Sequence, residues 1–157
     1  MESVAAKDVS VPTVRQLLAG EAILAQGETI LLVEDEDFVR KVTSDLLRES
    51  GYVVLSAANA TAARLLFMTC AKPVALLLCD SVLPGENGMS LARALRRMSP
   101  KLKVVFVSGY PATRVSRKFN QKPAVRYLQK PYSGSTLIAE IRLALEPKSP
   151  SAHTRGS

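Results

Sequence analysis

Three short apolar stretches, each running into a charged group, constrain this chain more than anything else in it. Ile30-Leu31-Leu32-Val33 meets Glu34-Asp35, Val74-Ala75-Leu76-Leu77-Leu78-Cys79 meets Asp80, and Tyr127-Leu128-Gln129 meets Lys130-Pro131. Continuous apolar runs of this length are what a strand shows when both of its faces are covered, and a charge where the run stops marks the carboxyl edge of a parallel sheet. Three carboxylates and one ammonium then gather at a single edge. Clustered carboxylates repel unless a hard cation or a proton lies among them, so the pattern asks for Mg²⁺ and leaves Lys130 to pair with an incoming anion such as a phosphoryl group.

The rest of the chain repeats the same alternation. Strands are predicted at 29–33, 52–56, 74–79, 103–107 and 125–128, with helices near 37–49, 58–70, 88–98, 111–120 and 134–145. Apolar spacing at Phe38, Val42 and Leu46, at Leu91, Leu95 and Met98, and at Leu137, Ile141 and Leu145 predicts stripes that face the core. The segment between Pro111 and Pro123 is the least regular of the helical patterns. Strict β-α alternation implies an α/β fold with parallel pairing, right-handed crossovers and helices on both faces of the sheet. Ligands in such sheets bind beyond the carboxyl ends of the strands at the topological switch point, where Glu34, Asp35 and Asp80 fall.

A chain of 157 residues with 47% hydrophobic and 22% charged residues has the balance of one compact domain. Cys70 and Cys79 are too few for a disulfide framework and read as buried or half-buried thiols in a reducing compartment. No apolar stretch is long enough to span a bilayer and the Met1 end has no secretory h-region, so a cytoplasmic protein with no membrane span is expected. Three regions are expected: residues 1–27 as an N-terminal extension or linker with one short helix around Val14, Leu17 and Leu18, residues 28–146 as the domain, and residues 147–157 as a flexible tail. His153, the only histidine, lies in that tail and is not expected to act in catalysis. Charge is divided unevenly: residues 28–88 hold five Lys/Arg against nine Asp/Glu, and residues 89–146 hold twelve against two. The basic half is a solvated surface or a feature that attracts an acidic protein, nucleic acid or anionic lipid.

Asp80 opens the loop Asp80-Ser81-Val82-Leu83-Pro84-Gly85-Glu86-Asn87-Gly88, whose Pro-Gly and Asn-Gly pairs enforce a tight turn before the next helix. A carboxylate at a loop mouth beside Mg²⁺ is placed to attack phosphorus and form an aspartyl phosphate. Lys130 would supply positive charge, and the Ser108 hydroxyl a hydrogen bond, to the phosphoryl oxygens.

In these residues the chain resembles a response-regulator receiver domain of the CheY-like superfamily, over roughly residues 28–146, and is similar to receivers of hybrid sensor histidine kinases. The resemblance rests on Glu34-Asp35, Asp80, the Leu83-Pro84-Gly85-Glu86-Asn87-Gly88 loop, Ser108-Gly109 and Lys130-Pro131, in order and at family spacings. It implies a flavodoxin-like doubly wound (βα)5 fold with a five-stranded parallel sheet in the order 2-1-3-4-5. It further implies that Glu34, Asp35, Asp80 and the backbone carbonyl of Val82 hold Mg²⁺. Asp80 would accept phosphate from a sensor histidine kinase or a histidine phosphotransfer domain. Lys130 would contact the phosphoryl group, with a cis bond before Pro131 that aims the lysine inward. Ser108 and Tyr127 would act as the switch, changing the face built from the fourth helix, fifth strand and fifth helix for a downstream protein target, with a phosphorylation-dependent dimer as one outcome. Glu34 stands where many members carry aspartate, and Ser108 where many carry threonine. Val82 and Tyr110 occupy positions that tune phosphate loss in the family, and an apolar and a bulky side chain there predict slow autodephosphorylation.

Singly, each feature has an ordinary explanation. Glu34-Asp35 suits a helix N-terminus, Asp80 a turn, Ser108 a strand end and Tyr127 simple packing. Jointly they favour a phospho-accepting regulatory domain rather than an enzyme with an external substrate. An aspartate-nucleophile phosphatase would want a second carboxylate two residues after Asp80, where Val82 stands. A nucleic-acid binder driven by the basic half would show an effector domain after residue 146 or aromatic-basic interleaving, and neither is expected here. The remaining alternative is a degenerate receiver that serves as an unphosphorylated docking scaffold.

Overall fold

A computed structural model describes residues 26–110 and 124–147. Five parallel strands form one sheet in the order β2-β1-β3-β4-β5: β1 (Thr29–Val33), β2 (Val53–Ala57), β3 (Val74–Asp80), β4 (Lys103–Ser108) and β5 (Val125–Gln129). Among the described residues four helices accompany them: α1 (Asp37–Glu49), α2 (Ala60–Thr69), α3 (Gly88–Met98) and α4 (Gly134–Leu145). The sequence-predicted helix at 111–120 lies outside the described residues, as do the predicted N-terminal helix, most of the tail and His153.

The continuous apolar runs have a direct physical reason. Side chains alternate across a strand, so a sheet covered on both faces needs apolar residues at every position. Leu31, Val33, Leu77, Cys79, Val104 and Phe106 point to one side, where Ala60 and Ala63 of α2 and Leu91, Ala92 and Leu95 of α3 cover them. Ile30, Leu32, Leu76, Leu78, Val105, Val107 and Leu128 point to the other, under Leu47 of α1 and Leu137, Ile138 and Ile141 of α4. Three of the helices start at a side-chain cap. Asn59 accepts a hydrogen bond from the Ala62 N–H, Asn87 from Met89 and Ser133 from Thr136, satisfying donors that a helix start leaves free.

Two of the predicted core stripes are corrected. Phe38 is 74% exposed and Val42 50% exposed, and α1 instead turns Thr43, Ser44 and Leu47 inward. At about 100° per residue, Phe38 stands about 180° round the helix from Leu47, so the two cannot share a buried face. Leu46 lies between them and is partly buried against the α1–α4 side of the core. In α3, Leu91 and Leu95 are fully buried, but Met98 is 52% exposed because it is the last helical residue, followed at once by the Ser99 cap. The α4 stripe faces the core, with Leu137 and Ile141 buried and Leu145 partly buried.

Two aromatic substitutions separate these environments. Phe106→Ala is expected to lower unfolding free energy in urea by about 3–5 kcal/mol, because it empties the centre of the α2–α3 side of the core. Phe38→Ala is expected to change it by less than about 0.5 kcal/mol. Equal losses in the two variants would contradict the assignment of Phe38 to the surface.

Candidate functional site

Register brings the charged strand ends together. Val33 of β1 pairs with Cys79 of β3, and Asp80 pairs with Val107 of β4. Ser108 pairs with Gln129 of β5. The residues that follow each strand therefore emerge side by side: Glu34 after β1, Asp80 at the end of β3, Ser108 at the end of β4 and Lys130 after β5. Backbone bonds carry the order past the strands, from Glu34 N–H to Ala57 O (3.1 Å), Ser81 N–H to Val107 O (2.9 Å) and Lys130 N–H to Ser108 O (2.7 Å).

Carboxylate oxygens of Glu34, Asp35 and Asp80 lie within 4.8 Å of one another, with Glu34 buried, Asp80 half-buried and Asp35 exposed. The Lys130 ammonium reaches into this group, 2.8 Å from Asp80 Oδ2 and 3.7 Å from Glu34 Oε2. The Glu34 side chain also accepts the Glu36 N–H at 3.1 Å, while Asp80 Oδ1 accepts the Val82 N–H at 2.9 Å. Burial pushes the Glu34 carboxyl above the ordinary carboxylate range, opposed by the Glu36 N–H and by Lys130 and reinforced by the Asp80 charge. Burial also disfavours the charge on Lys130, but the hydrogen bond and charge of Asp80, together with Glu34, outweigh it and raise the lysine pKa above its usual value. The edge is thus a set of hard oxygen donors whose mutual repulsion is held by one cation. That donor chemistry fits a hard divalent ion such as Mg²⁺.

The turn between β1 and α1 is braced by Arg40, whose guanidinium donates to the Glu34 carbonyl at 2.9 Å and to Asp37 Oδ1 at 2.6 Å. Gly88 sets the floor of the opposite loop. A Cβ at this position would stand 2.4 Å from the Asp80 carbonyl oxygen and 3.1 Å from Cys79 Sγ, so only glycine allows the start of α3 to pass so close beneath the acidic edge. The Cys79 thiol is fully buried, and burial next to the Asp80 charge pushes its pKa far up, which keeps it protonated and inert.

The remaining sequence-predicted positions are all on or beside this edge. Ser108 is buried, and its Oγ accepts the Tyr110 N–H at 3.1 Å, leaving the hydroxyl hydrogen to donate elsewhere. Tyr127 is half-buried and packs on Phe106 with ring centroids 5.6 Å apart. The Lys130–Pro131 peptide bond is cis. Val82 and Tyr110 are both largely exposed. Two features are absent from the sequence reading. Arg64 of α2 makes a two-pronged ion pair with Glu86 of the Asp80–Gly88 loop, and Tyr132 lies close enough to Lys130, Glu34 and Asp80 to feel their charges. The first joins residues 22 positions apart and has no periodic signal, while the second sat beside the Lys130-Pro131 pair as an aromatic of no evident chemistry.

Comparison with known proteins follows the same lines. The family described as response regulator receiver domain matches residues 30–142. The chain is 34% identical to the sensor kinase CckA of Brucella abortus over 123 residues, which is 78% of this chain but 13% of that kinase. It is 31% identical to the response regulator receiver protein CpdR of the same organism over 116 residues, 74% of this chain and 95% of CpdR. Among solved structures, the receiver domain of the hybrid histidine kinase CckA superposes with a TM-score of 0.65 at 35% identity, covering 75% of this chain and 99% of that domain. The CheY4 chemotaxis protein of Vibrio cholerae, at 21% identity and a TM-score of 0.69, shares the fold. With its sheet order, its acidic edge and a family match across most of its length, this chain belongs to the response regulator receiver domains of two-component signalling.

Proposed function

We propose that this receiver takes a phosphoryl group onto Asp80 from a phosphohistidine of a partner kinase or phosphotransfer domain, in a Mg²⁺-dependent reaction. The observation that carries the reading is the convergence of Glu34, Asp35 and Asp80 within 4.8 Å around the Lys130 ammonium. Glu34, Asp35, Asp80 and the Val82 carbonyl would hold the ion, which when bound supplies positive charge against the phosphoryl oxygens. A carboxylate oxygen of Asp80 forms the new bond to phosphorus as the phosphorus–nitrogen bond breaks, and the departing imidazole keeps the electron pair. Lys130 then pairs with a phosphoryl oxygen in place of the carboxylate it now holds, and the Ser108 hydroxyl donates to another. Movement of Ser108 toward the phosphate would free space beside β5 for Tyr127, and so reach the face of β5 and α4 that a downstream target would read.

The scaffold alternative is not favoured, because the acidic set, the hydroxyl and the lysine are all retained at one edge. The exposed apolar side chains of α1 support the donor side of the reading. Phe38 and Val42 lie one and two turns beyond the acidic pair, on a helix face left exposed among the described residues, and apolar anchors beside a polar reaction centre suit a docking phosphohistidine domain.

Intact-mass measurement after incubation with acetyl phosphate and Mg²⁺ tests the core of the proposal. One added phosphoryl group is expected in the wild type, none in Asp80→Asn and none in EDTA. Absence of the adduct in the wild type, together with no binding of beryllofluoride, would overturn it. Because the side chain at Val82 is apolar and that at Tyr110 bulky, the adduct is expected to persist for minutes or longer after the donor is removed. A lifetime of seconds would contradict this role for the two positions. In a separate assay, Phe38→Ala combined with Val42→Ala is expected to slow transfer from a phosphorylated histidine phosphotransfer domain about tenfold. The same variant should react with acetyl phosphate within about twofold of the wild-type rate, and an equal loss with both donors would remove the docking role.

A further inference from the structure

The Asp80–Gly88 loop is fixed at both ends and held at its tip by one ion pair. At the start, the Ser81 N–H donates to Val107 O at 2.9 Å; at the end, the Gly88 N–H donates to Ser81 O at 3.3 Å, and Asn87 caps α3. Leu83 is buried in the α2–α3 side of the core. Pro84 and Gly85 between these anchors are exposed, and Gly85 adopts φ of 79°, a left-handed conformation that favours glycine. Glu86 follows, and its two carboxylate oxygens take the two terminal nitrogens of Arg64, Nη2 standing 2.6 Å from Oε1 and Nη1 bonding Oε2. A fork of this kind fixes the orientation of the carboxylate as well as its position. The Arg64 hydrogen bonds also hold the Glu86 carboxyl below its ordinary range.

Arg64 sits on α2, whose Ala60 and Ala63 are packed under the sheet, so the fork ties a mobile type of turn to a rigid element. As a contribution to global stability the pair is minor, since both side chains are partly exposed, 37% and 26%. Its effect is local. Val82, four residues before Glu86, is 62% exposed; its N–H is bound to Asp80 Oδ1, and the buried Leu83 follows it, so the fork at Glu86 is the tie on the far side of the exposed Pro84-Gly85 turn. We propose that Arg64 is a positioning residue for the metal site: by gripping Glu86 it holds the Asp80–Gly88 loop in the arrangement that presents the Val82 carbonyl beside Glu34, Asp35 and Asp80. The inference rests on the reading of these carboxylates as a Mg²⁺ site.

Calorimetric titration with Mg²⁺ alone tests it on the whole chain, using wild type, Arg64→Ala, Glu86→Gln, Arg64→Lys and the swapped pair Arg64→Glu with Glu86→Arg. Arg64→Ala and Glu86→Gln are each expected to bind Mg²⁺ about fivefold more weakly with unchanged stoichiometry and a nearly unchanged urea midpoint. Arg64→Lys should fall between them and the wild type, because an ammonium cannot form the fork. The swapped pair should return to within about twofold of wild type. Wild-type affinity in both single variants, or a fall in urea midpoint with no change in affinity, would overturn the positioning role while leaving the metal site intact. Failure of the wild type itself to bind Mg²⁺ would overturn the metal reading and this inference with it.

Discussion

The acidic edge depends first on the register between β1 and β3. Leu31 faces Leu77 and Val33 faces Cys79, so Glu34 leaves its strand level with Asp80. Both strands are covered on both faces, yet their side chains are not interchangeable between faces: Leu31 and Val33 pack toward α2 and α3, while Ile30 and Leu32 pack toward α1 and α4. A slip of one residue would exchange those sets and carry Asp80 about 3.3 Å away from Glu34. The core therefore enforces a charge arrangement that electrostatics alone would disperse. Hydrophobic burial over the whole sheet holds three carboxylates within a few ångströms, and Lys130, delivered by β5 at the sheet's edge, answers them with its positive charge.

That arrangement sets the chemistry available to the site. Two opposing effects act on Glu34, burial against the Glu36 N–H and Lys130, and burial wins, so this carboxyl holds its proton more readily than an exposed one. Lys130 feels the same two kinds of effect and the charges win, so it stays cationic. In the proposed transfer, Lys130 exchanges its pairing with Asp80 for one with the phosphoryl group. The ammonium that now bonds Asp80 Oδ2 is the same one that would bond the phosphoryl oxygen, so the change of partner costs little rearrangement. Ser108 is placed similarly: its oxygen is engaged by the Tyr110 N–H, while its hydrogen is available.

Much of this was legible from sequence because each informative residue is marked by position. A charge at the end of an apolar run reports a strand end, and the order Glu34-Asp35, Asp80, Ser108, Lys130 reports four neighbouring strand ends before any contact is known. The five strands follow from short apolar runs, and the helix bounds at 37–49, 88–98 and 134–145 from a period of 3.6. Periodicity misjudged α1 for a physical reason. It locates an apolar face but not the side to which that face turns, and here Phe38 and Val42 turn to solvent while Thr43 and Ser44 turn to the core. Thr43 lies near the Tyr132 hydroxyl, a neighbour far away in sequence that no local pattern announces. The Arg64–Glu86 fork was illegible on the same ground. Net charge also misleads: among the cations of the basic half, Arg126 is spent on Glu140 and Lys130 on Asp80.

The same distinction separates the two kinds of support that the site receives. Glu34, Asp80, Ser108 and Lys130 are placed by strands whose positions are fixed by a packed core, so their geometry follows from the fold common to receivers. The Val82 carbonyl is placed by a loop, and loops inherit their geometry from whatever side chains happen to tie them. In this chain the tie at the loop's tip, beyond the buried Leu83, is a guanidinium on a neighbouring helix, a partly hydrated contact whose strength depends on salt and on the identity of two residues outside the acidic set. A receiver built on the same sheet but lacking Arg64 or Glu86 would keep its acidic edge and lose the fork that holds the loop's tip. On the proposed role of Arg64, the Mg²⁺ affinity of this chain would depend on the contacts that hold the loop after Asp80 as well as on the carboxylates themselves.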